Sequence, residues 1–335
     1  MARTSFKFKS LFDLLQTFNT EKKCIRFLEK KLWANGVVSP FDPSSKVYRR
    51  SDGTYRCKNT GKNFNVRTGT IFENSKAPLR KWFMAIYMLT SRKKGITSVQ
   101  VAKDIDVTQK TAWYMMHKIR NAFVYNGGKL TGEIELDETF VGGKNKNRHG
   151  KGKIRNARGR SHLDKEPVLG MLQRDPNGGG LKVICFQVDN TSWKPLTRHI
   201  ITNVRRDVTL YMDDWQGYSV VKKVYKHHVV DHGHGIYAVG GAYTNTIEAF
   251  WSNYCKRAIS GTYNYISRHH LQRYFDEFSF HYNTRKVKDN ERFEMFFGNI
   301  GHPMTNEQIK QGNGRKRKVT LKQIAARQRA QRAAA

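Results

Sequence analysis

Three short acidic islands inside apolar runs constrain this chain more than any other feature. Glu135-Leu-Asp-Glu-Thr-Phe places Asp137 in an alternating apolar segment. Leu210-Tyr-Met-Asp-Asp-Trp places Asp213 at the end of another, and Thr244-Asn-Thr-Ile-Glu-Ala-Phe-Trp places Glu248 in a helical pattern. Around them the chain is strongly basic, with 61 Lys and Arg against 27 Asp and Glu and a formal net charge of +34. Such a charge opposes compaction and draws polyanions. Solubility alone does not require it, so nucleic acid is the leading partner and an anionic membrane surface the weaker one. Carboxylates gathered in such a background point to a divalent-cation site in a nucleic-acid binder, and so to phosphodiester chemistry.

Other classes fall away. No apolar run approaches the roughly 18 residues that signal a membrane span, and the N-terminus lacks the apolar core of a secretory signal. A cytosolic, nucleoid-associated setting is the expectation. The four cysteines, Cys24, Cys57, Cys185 and Cys255, form no C-x-x-C pair, which argues against a disulfide framework and an intact zinc ribbon. With 19 Phe, 15 Tyr and 6 Trp in 335 residues the chain can bury real cores, and its length suggests two or three domains.

Residues 1–75 read as a helical segment followed by a small β-rich module, with short alternating runs near Val47 and Tyr55. Residues 76–127 read as helices. Thr97 or Ser98 caps one and Thr108 the next, and the short break between them gives a helix-turn-helix pattern. The second helix offers Gln109, Lys110 and Lys118 to a DNA groove or to phosphates. The plain alternative is an ordinary helical hairpin.

Residues 128–300 read as an α/β domain. Strands are expected over Gly132–Val141, from Val168, from Leu181 to Val188, near Val208–Met212 and near His227–Asp231. Helices are expected at 195–204, 244–258 and 267–284. Three consecutive strands followed by alternating helices and strands suit a mixed sheet. The ribonuclease-H-like order is one such arrangement among several. Residues 142–160 read as a basic, glycine-rich insertion, and 301–335 as a basic tail, disordered in the plainest reading.

Divalent Mg²⁺ or Mn²⁺ prefers oxygen ligands. Asp137 in mid-strand and Asp213 at a strand end can be set side by side, with Glu248 reaching in from a helix. Asn245, three residues earlier, shares the helical face of Glu248 and stands as ligand, substrate contact or cap. Asp214 competes with Asp213. Glu135 and Glu138 are expected on the strand face opposite Asp137, solvated or salt-bridged. Singly, each carboxylate is more often a surface residue than a ligand; together they raise the odds. The segment His227-His-Val-Val-Asp-His-Gly-His is a rival zinc candidate. Adjacent His227 and His228 cannot share one strand face, however, and His232 or His234 is read instead as touching DNA or assisting near the active site.

The long motifs Glu135-Leu-Asp-Glu-Thr-Phe-Val-Gly-Gly-Lys, Tyr211-Met-Asp-Asp-Trp-Gln-Gly-Tyr and Thr244-Asn-Thr-Ile-Glu-Ala-Phe-Trp-Ser resemble the DDE transposases of bacterial insertion sequences, in the ISXO-type group related to Merlin elements. The segments from Arg67 and Lys94 resemble the same family's upstream region, so the likeness covers roughly residues 20–285. It implies a ribonuclease-H-like core, with Asp137 and Asp213 as metal ligands and a third ligand from Glu248 first, Asn245 second. It also implies a basic residue on the same helix. Lys256 is the candidate, one residue later than expected, and is carried as a DNA contact. The family usually has an N-terminal zinc ribbon. Here its two cysteine pairs read Ser39-Pro-Phe-Asp42 and Cys57-Lys-Asn-Thr60, so a ribbon-like shape without zinc is expected.

The resulting expectation is an insertion-sequence transposase. It would bind terminal inverted repeats through residues 1–125, cut and join target DNA with Mg²⁺ or Mn²⁺, and act as a homodimer on DNA. The alternatives are a repurposed, inactive DNA-binding protein and a nuclease that hydrolyses without joining.

Overall fold

The computed structural model describes residues 8–143, 149, 165–230 and 244–312. The N-terminal helices α1 (Leu11–Thr17) and α2 (Glu21–Leu32) start where hydroxyls can satisfy orphan amides. Ser10 accepts from the Asp13 amide and Thr20 from the Lys23 amide. Helix α3 (Leu79–Ser91) follows Pro78, which has no hydroxyl to offer. Glu21 supplies the missing acceptor from α2, taking the Leu79 amide at 2.9 Å while also pairing with Arg67 at 2.8 Å. Helices α4 (Ser98–Asp104) and α5 (Gln109–Asn121) are capped by Thr97 and Thr108, the residues read from sequence. Asp106 makes the intervening turn with a positive φ of 51°, a conformation Asp tolerates better than most residues.

Between α2 and α3 lies a three-stranded antiparallel sheet of β1 (Val47–Arg49), β2 (Tyr55–Cys57) and β3 (Asn63–Phe64). Hydrogen bonds join the two loops that carry the ribbon-like tetrads. Ser39 Oγ accepts from the amides of Phe41 and Asp42, and Asn59 donates to Asp42 at 2.8 Å and, through its backbone, to Ser45 at 3.0 Å. Burial pushes the Cys57 thiol up, but hydrogen bonding with Ser39, Ser45 and Thr60 more than offsets this and leaves it at about 6.

The second half is built on one five-stranded sheet in the order β6-β5-β4-β7-β8. Strands β4 (Glu133–Val141), β5 (Glu166–Arg174) and β6 (Gly180–Gln187) form an antiparallel meander, and β7 (Thr209–Asp213) and β8 (Lys226–Val230) run parallel to β4. The parallel strands need crossovers, which α6 (Trp193–Asn203) and the short α7 (Val221–Val224) provide. Alternation divides β4 between two cores. Ile134 and Leu136 face α6, packing with Leu169, Met171, Leu196 and Ile200. The other face is covered by α8 (Asn245–Phe250) and α9 (Leu271–Asn283), which pack Ile247, Trp251 and Phe275 over Val168 and Leu172. The expected strands and helices of this half lie within a few residues of their predicted places.

The expected boundaries differ more. Residues 1–75 and 76–127 share one core rather than forming two, and α10 (Asp289–Phe296) joins it from the far end of the chain. Phe293 is fully buried among the rings of Phe8, Phe18, Phe27 and Phe83, at centroid distances of 5.3–6.3 Å. The segment from about residue 289 to Ile300 therefore belongs with the N-terminal helices, not with the sheet as a limit of 300 implied. A last helix, α11 (Asn306–Gln311), opens with a capping box at Thr305 and Gln308; the remainder of the expected tail lies outside the described residues, as does most of 142–160.

A buried ion pair crosses the seam between the halves. Arg120 on α5 donates to Glu277 on α9 at 2.6 Å, and Tyr263 donates to the other Glu277 oxygen at 2.7 Å. The guanidinium also lies 4.0 Å from the Tyr274 ring centroid. Burial pushes the Glu277 carboxyl up, but the neighbouring Arg120 outweighs it and holds the group below the usual carboxylate range. A depressed native pKa means this contribution is fully present above the ordinary value near 4.5 and is lost as pH falls below it. Glu277→Ala strands a buried cation and is expected to cost about 3–5 kcal/mol in urea denaturation at pH 7, with a smaller deficit at pH 3. An equal deficit at both pH values would contradict the pairing. For the β1–β3 module, elemental analysis of purified protein is expected to find no stoichiometric zinc; one zinc per chain would overturn the hydrogen-bonded reading.

Candidate active site

The parallel pairing of β4 with β7 matches Ile134 to Leu210 and Glu135 to Tyr211. Two residues further along each strand, Asp137 and Asp213 come level. Both line a cleft of about 310 Å³ together with Glu248, Ser252 and Lys256 from the helix that crosses above. Asp214 points elsewhere: it is exposed and pairs with Lys222 at 2.6 Å. Asn245 is the exposed first residue of α8, Thr244 is its N-cap, and Asn245 does not line the cleft. The geometry gathers Asp137, Asp213 and Glu248, and leaves Asp214 and Asn245 out.

The crossing helix is not a regular α-helix. After Phe250 it widens into a π-helical stretch, Trp251–Lys256. Wider turns delay the return of a side chain to a given face, and such segments recur at functional sites. This accounts for the position of Lys256, one residue later than the family resemblance implies, yet on the same cleft as Glu248 and Ser252.

Two contacts fix this helix to β4. Trp251 Nε1–H donates to Asp137 Oδ2 at 2.9 Å. Glu135 Oε2 accepts the Ile247 amide at 2.9 Å, filling the capping role for which Thr244 makes no side-chain bond. Glu135 was expected on the face opposite Asp137. Residues two apart on a strand share a face, and the structure puts Glu135 beneath α8, fully buried and paired with Arg174 at 2.9 Å. Glu138 accepts from the Tyr218 hydroxyl and also lines the cleft. Arg174 lies 3.6 Å from the Tyr211 ring centroid, so the counter-ion is itself clamped to β7.

Gly170 completes the arrangement. It lies opposite Asp137 in the β4–β5 register. A Cβ there would come within 2.4 Å of the Trp251 ring, so the absent side chain leaves the space through which the indole reaches Asp137. Trp251 and Glu135 both sit inside quoted motifs, and strand alternation could have found Glu135. Gly170 depends on cross-strand register, which no local pattern announces.

The Asp137 carboxyl is pushed up to about 7, first by desolvation, with the negative charges of Asp213 and Glu248 adding to it against the hydrogen bonds from Trp251 and Glu138. The cleft thus gathers several carboxylates, with Lys256 also in its lining. Hard carboxylate oxygens around one space are a donor set suited to Mg²⁺ or Mn²⁺. The side chains surround that space without closing on it. Among the described residues, no three His, Cys, Asp or Glu side chains stand at metal-ligand spacing. The rival histidine segment gains no support: His227 bonds the Tyr225 carbonyl, His228 stacks on Tyr211, and Asp231, His232 and His234 lie outside the described residues.

The expected DNA-contacting residues divide. Gln109 and Lys110 are exposed at the start of α5, with Gln109 also bonded to Ser98 on α4 at 2.8 Å. Lys118 is not available. The second half of α5 is sandwiched between α3 and α9, and Lys118 is buried with its ammonium donating to the Glu73 carbonyl at 3.0 Å. Desolvation lowers its pKa.

Residues 129–283 match the ISXO2-like transposase domain. The matched segment carries all three acidic motifs, so this similarity points to the same class as the resemblance. The chain is 28% identical over 247 residues to an uncharacterised protein in transposable element ISH50 of Halobacterium salinarum, covering 70% of this chain and 82% of that protein. Among solved structures, a chain of the Mos1 strand transfer complex aligns at 13% identity and a TM-score of 0.23, over 68% of this chain and 77% of that one. A chain of a pre-cleavage Mos1 transpososome aligns at 12% identity and 0.18, over 90% and 100%. No helix among the described residues is long and apolar enough to cross a membrane.

Gly170→Ala tests the construction of the site. The added methyl must displace the Trp251 indole, and a loss of about 1–3 kcal/mol is expected in urea denaturation. Unchanged stability would mean that the indole does not occupy this space.

Proposed function

We propose that the chain is an insertion-sequence transposase with a ribonuclease-H-like catalytic core, which cuts and joins DNA ends with a divalent cation held by Asp137, Asp213 and Glu248. The observation that carries this reading is the convergence of these three carboxylates, from two adjacent parallel strands and one crossing helix, on a single cleft. The sheet order, a three-strand meander extended by two parallel strands, supports the proposed core.

Bound Mg²⁺ or Mn²⁺ would activate a water or a 3′-hydroxyl and stabilise the leaving oxygen of an in-line displacement. The chain's own residues do the positioning. Trp251 holds the Asp137 carboxylate in a fixed orientation, and Glu135 holds the helix that presents Glu248. Lys256 brings a cation to the cleft mouth for a DNA phosphate. No side chain needs to act as a nucleophile, so no covalent protein–DNA intermediate is required.

For DNA binding, we propose that α4 and α5 act as a helix-turn-helix, with Gln109 and Lys110 at the exposed N-terminal end of α5 facing the groove or phosphates of the terminal inverted repeats. Lys118 takes no part. Two ends require two active sites in the simplest arrangement, so a homodimer assembles on DNA.

The test is cleavage and strand transfer on DNA carrying the element's ends. Asp137→Asn, Asp213→Asn and Glu248→Gln are each expected to lower the Mg²⁺-dependent rate by at least about 10³-fold, on the scale of lost charge stabilisation, while end binding persists. Asn245→Ala is expected to stay within a few-fold of wild type. End binding without cutting by the wild-type chain would favour a repurposed DNA-binding protein. Cutting without joining would leave a nuclease.

A further inference from the structure

Next to the acidic cleft lies a second one, of about 670 Å³, whose walls include Trp193, Trp215, Thr191 and Gly217. Of the six tryptophans in the chain, only these two are largely exposed, at 46% and 47%. Trp193 opens α6, and Trp215 follows β7 directly. Two large aromatic faces in one solvent-filled cleft are costly to leave unburied unless something covers them.

The Trp215 ring is fixed in place. Its Nε1–H donates to the Thr191 carbonyl at 2.8 Å. A Cβ at residue 217 would lie 2.4 Å from that carbonyl and 2.5 Å from Trp215 Nε1, so a glycine is needed beneath the contact. The indole is therefore held rigidly at the surface. Its backbone is tied to the catalytic cleft, because the Trp215 amide donates to Asp213 Oδ1 at 3.3 Å. Lys194 stands 5.5 Å from the Trp193 ring, a cation for a flanking phosphate.

We propose that Trp193 and Trp215 form a subsite for an unstacked nucleobase of the DNA strand that enters the acidic cleft. Every base has a π-face, so stacking on a rigid indole holds a single strand without reading its sequence. Because Trp215 lies two residues beyond Asp213 and its amide bonds that carboxylate, the occupied base would sit close to the scissile phosphate. The subsite rests on the reading of the acidic cleft as a DNA-cleaving centre, and deepens it by naming single-stranded character at the cut.

The full chain is titrated with single-stranded oligothymidylate and with a blunt duplex of equal length, following tryptophan fluorescence and the anisotropy of labelled DNA. The wild type is expected to bind oligothymidylate with quenching. Trp215→Leu and Trp193→Leu keep bulk without a π-face, and each should weaken that binding about tenfold, within the range of one lost stacking contact. Duplex affinity should be unchanged, and Trp215→Phe should stay within about threefold of wild type. Equal oligothymidylate affinity in wild type and both leucine variants overturns the subsite, as does a phenylalanine variant as impaired as the leucine one. Leucine variants that alter self-association in gel filtration but not oligothymidylate binding also overturn it, assigning the tryptophans to contact with a second copy. Mg²⁺-dependent cutting by the wild type separates the two readings. Cutting with no tryptophan dependence removes the subsite alone, whereas tryptophan-dependent binding without cutting removes the cleavage reading and with it the subsite's place beside a scissile phosphate, leaving only a single-strand stacking surface.

Discussion

The acidic cleft depends on how one short helix is fastened to one strand. Glu135 takes the Ile247 amide and Asp137 takes the Trp251 indole N–H, so two carboxylates of β4 hold the first turns of the crossing helix from beneath. The first carboxylate is fully buried and neutralised by Arg174; the second opens onto the cleft. A charge beneath the helix N-terminus is favourable through the aligned peptide dipoles as well as through the hydrogen bond. Removing Glu135 would leave both the helix amide and Arg174 without their partner, so the tie and the sheet stand or fall together.

That fastening explains the division of labour among the acidic residues. Glu135 is spent on structure, Asp214 on a surface pair with Lys222, and Glu138 on Tyr218. Asp137, Asp213 and Glu248 remain directed at a common space. Their mutual repulsion, on top of desolvation, raises Asp137. The π-helical stretch then returns Ser252 and Lys256 to the same cleft.

Much of this was legible in the sequence because the signals are local. Alternation gave β4 through β7, hydroxyl residues gave the caps of α4 and α5, and the islands carried Asp137, Asp213 and Glu248. What escaped depends on pairing across distance. The Gly170 vacancy follows from strand register, and Phe293 reaches the N-terminal core from the far end of the chain. Lys118 looked available because helical periodicity does not reveal that α5 is covered on both sides near its end. Glu135 is a different case: period-two alternation places it on the face of Asp137, so its position was readable from the strand pattern. The seam has a functional side as well. Arg120 and Glu277 join α5 to α9 through a buried pair, so the proposed DNA-reading helix and the sheet of the proposed catalytic core are coupled rather than strung on a linker.

The most direct test of the central claim is anomalous diffraction from crystals of the full chain soaked in Mn²⁺. The account predicts manganese in the acidic cleft, with Asp137 and Asp213 as shared ligands and Glu248 completing the shell. A cleft that stays empty at saturating Mn²⁺, or an ion held by Asp214 or Asn245 instead, would contradict it.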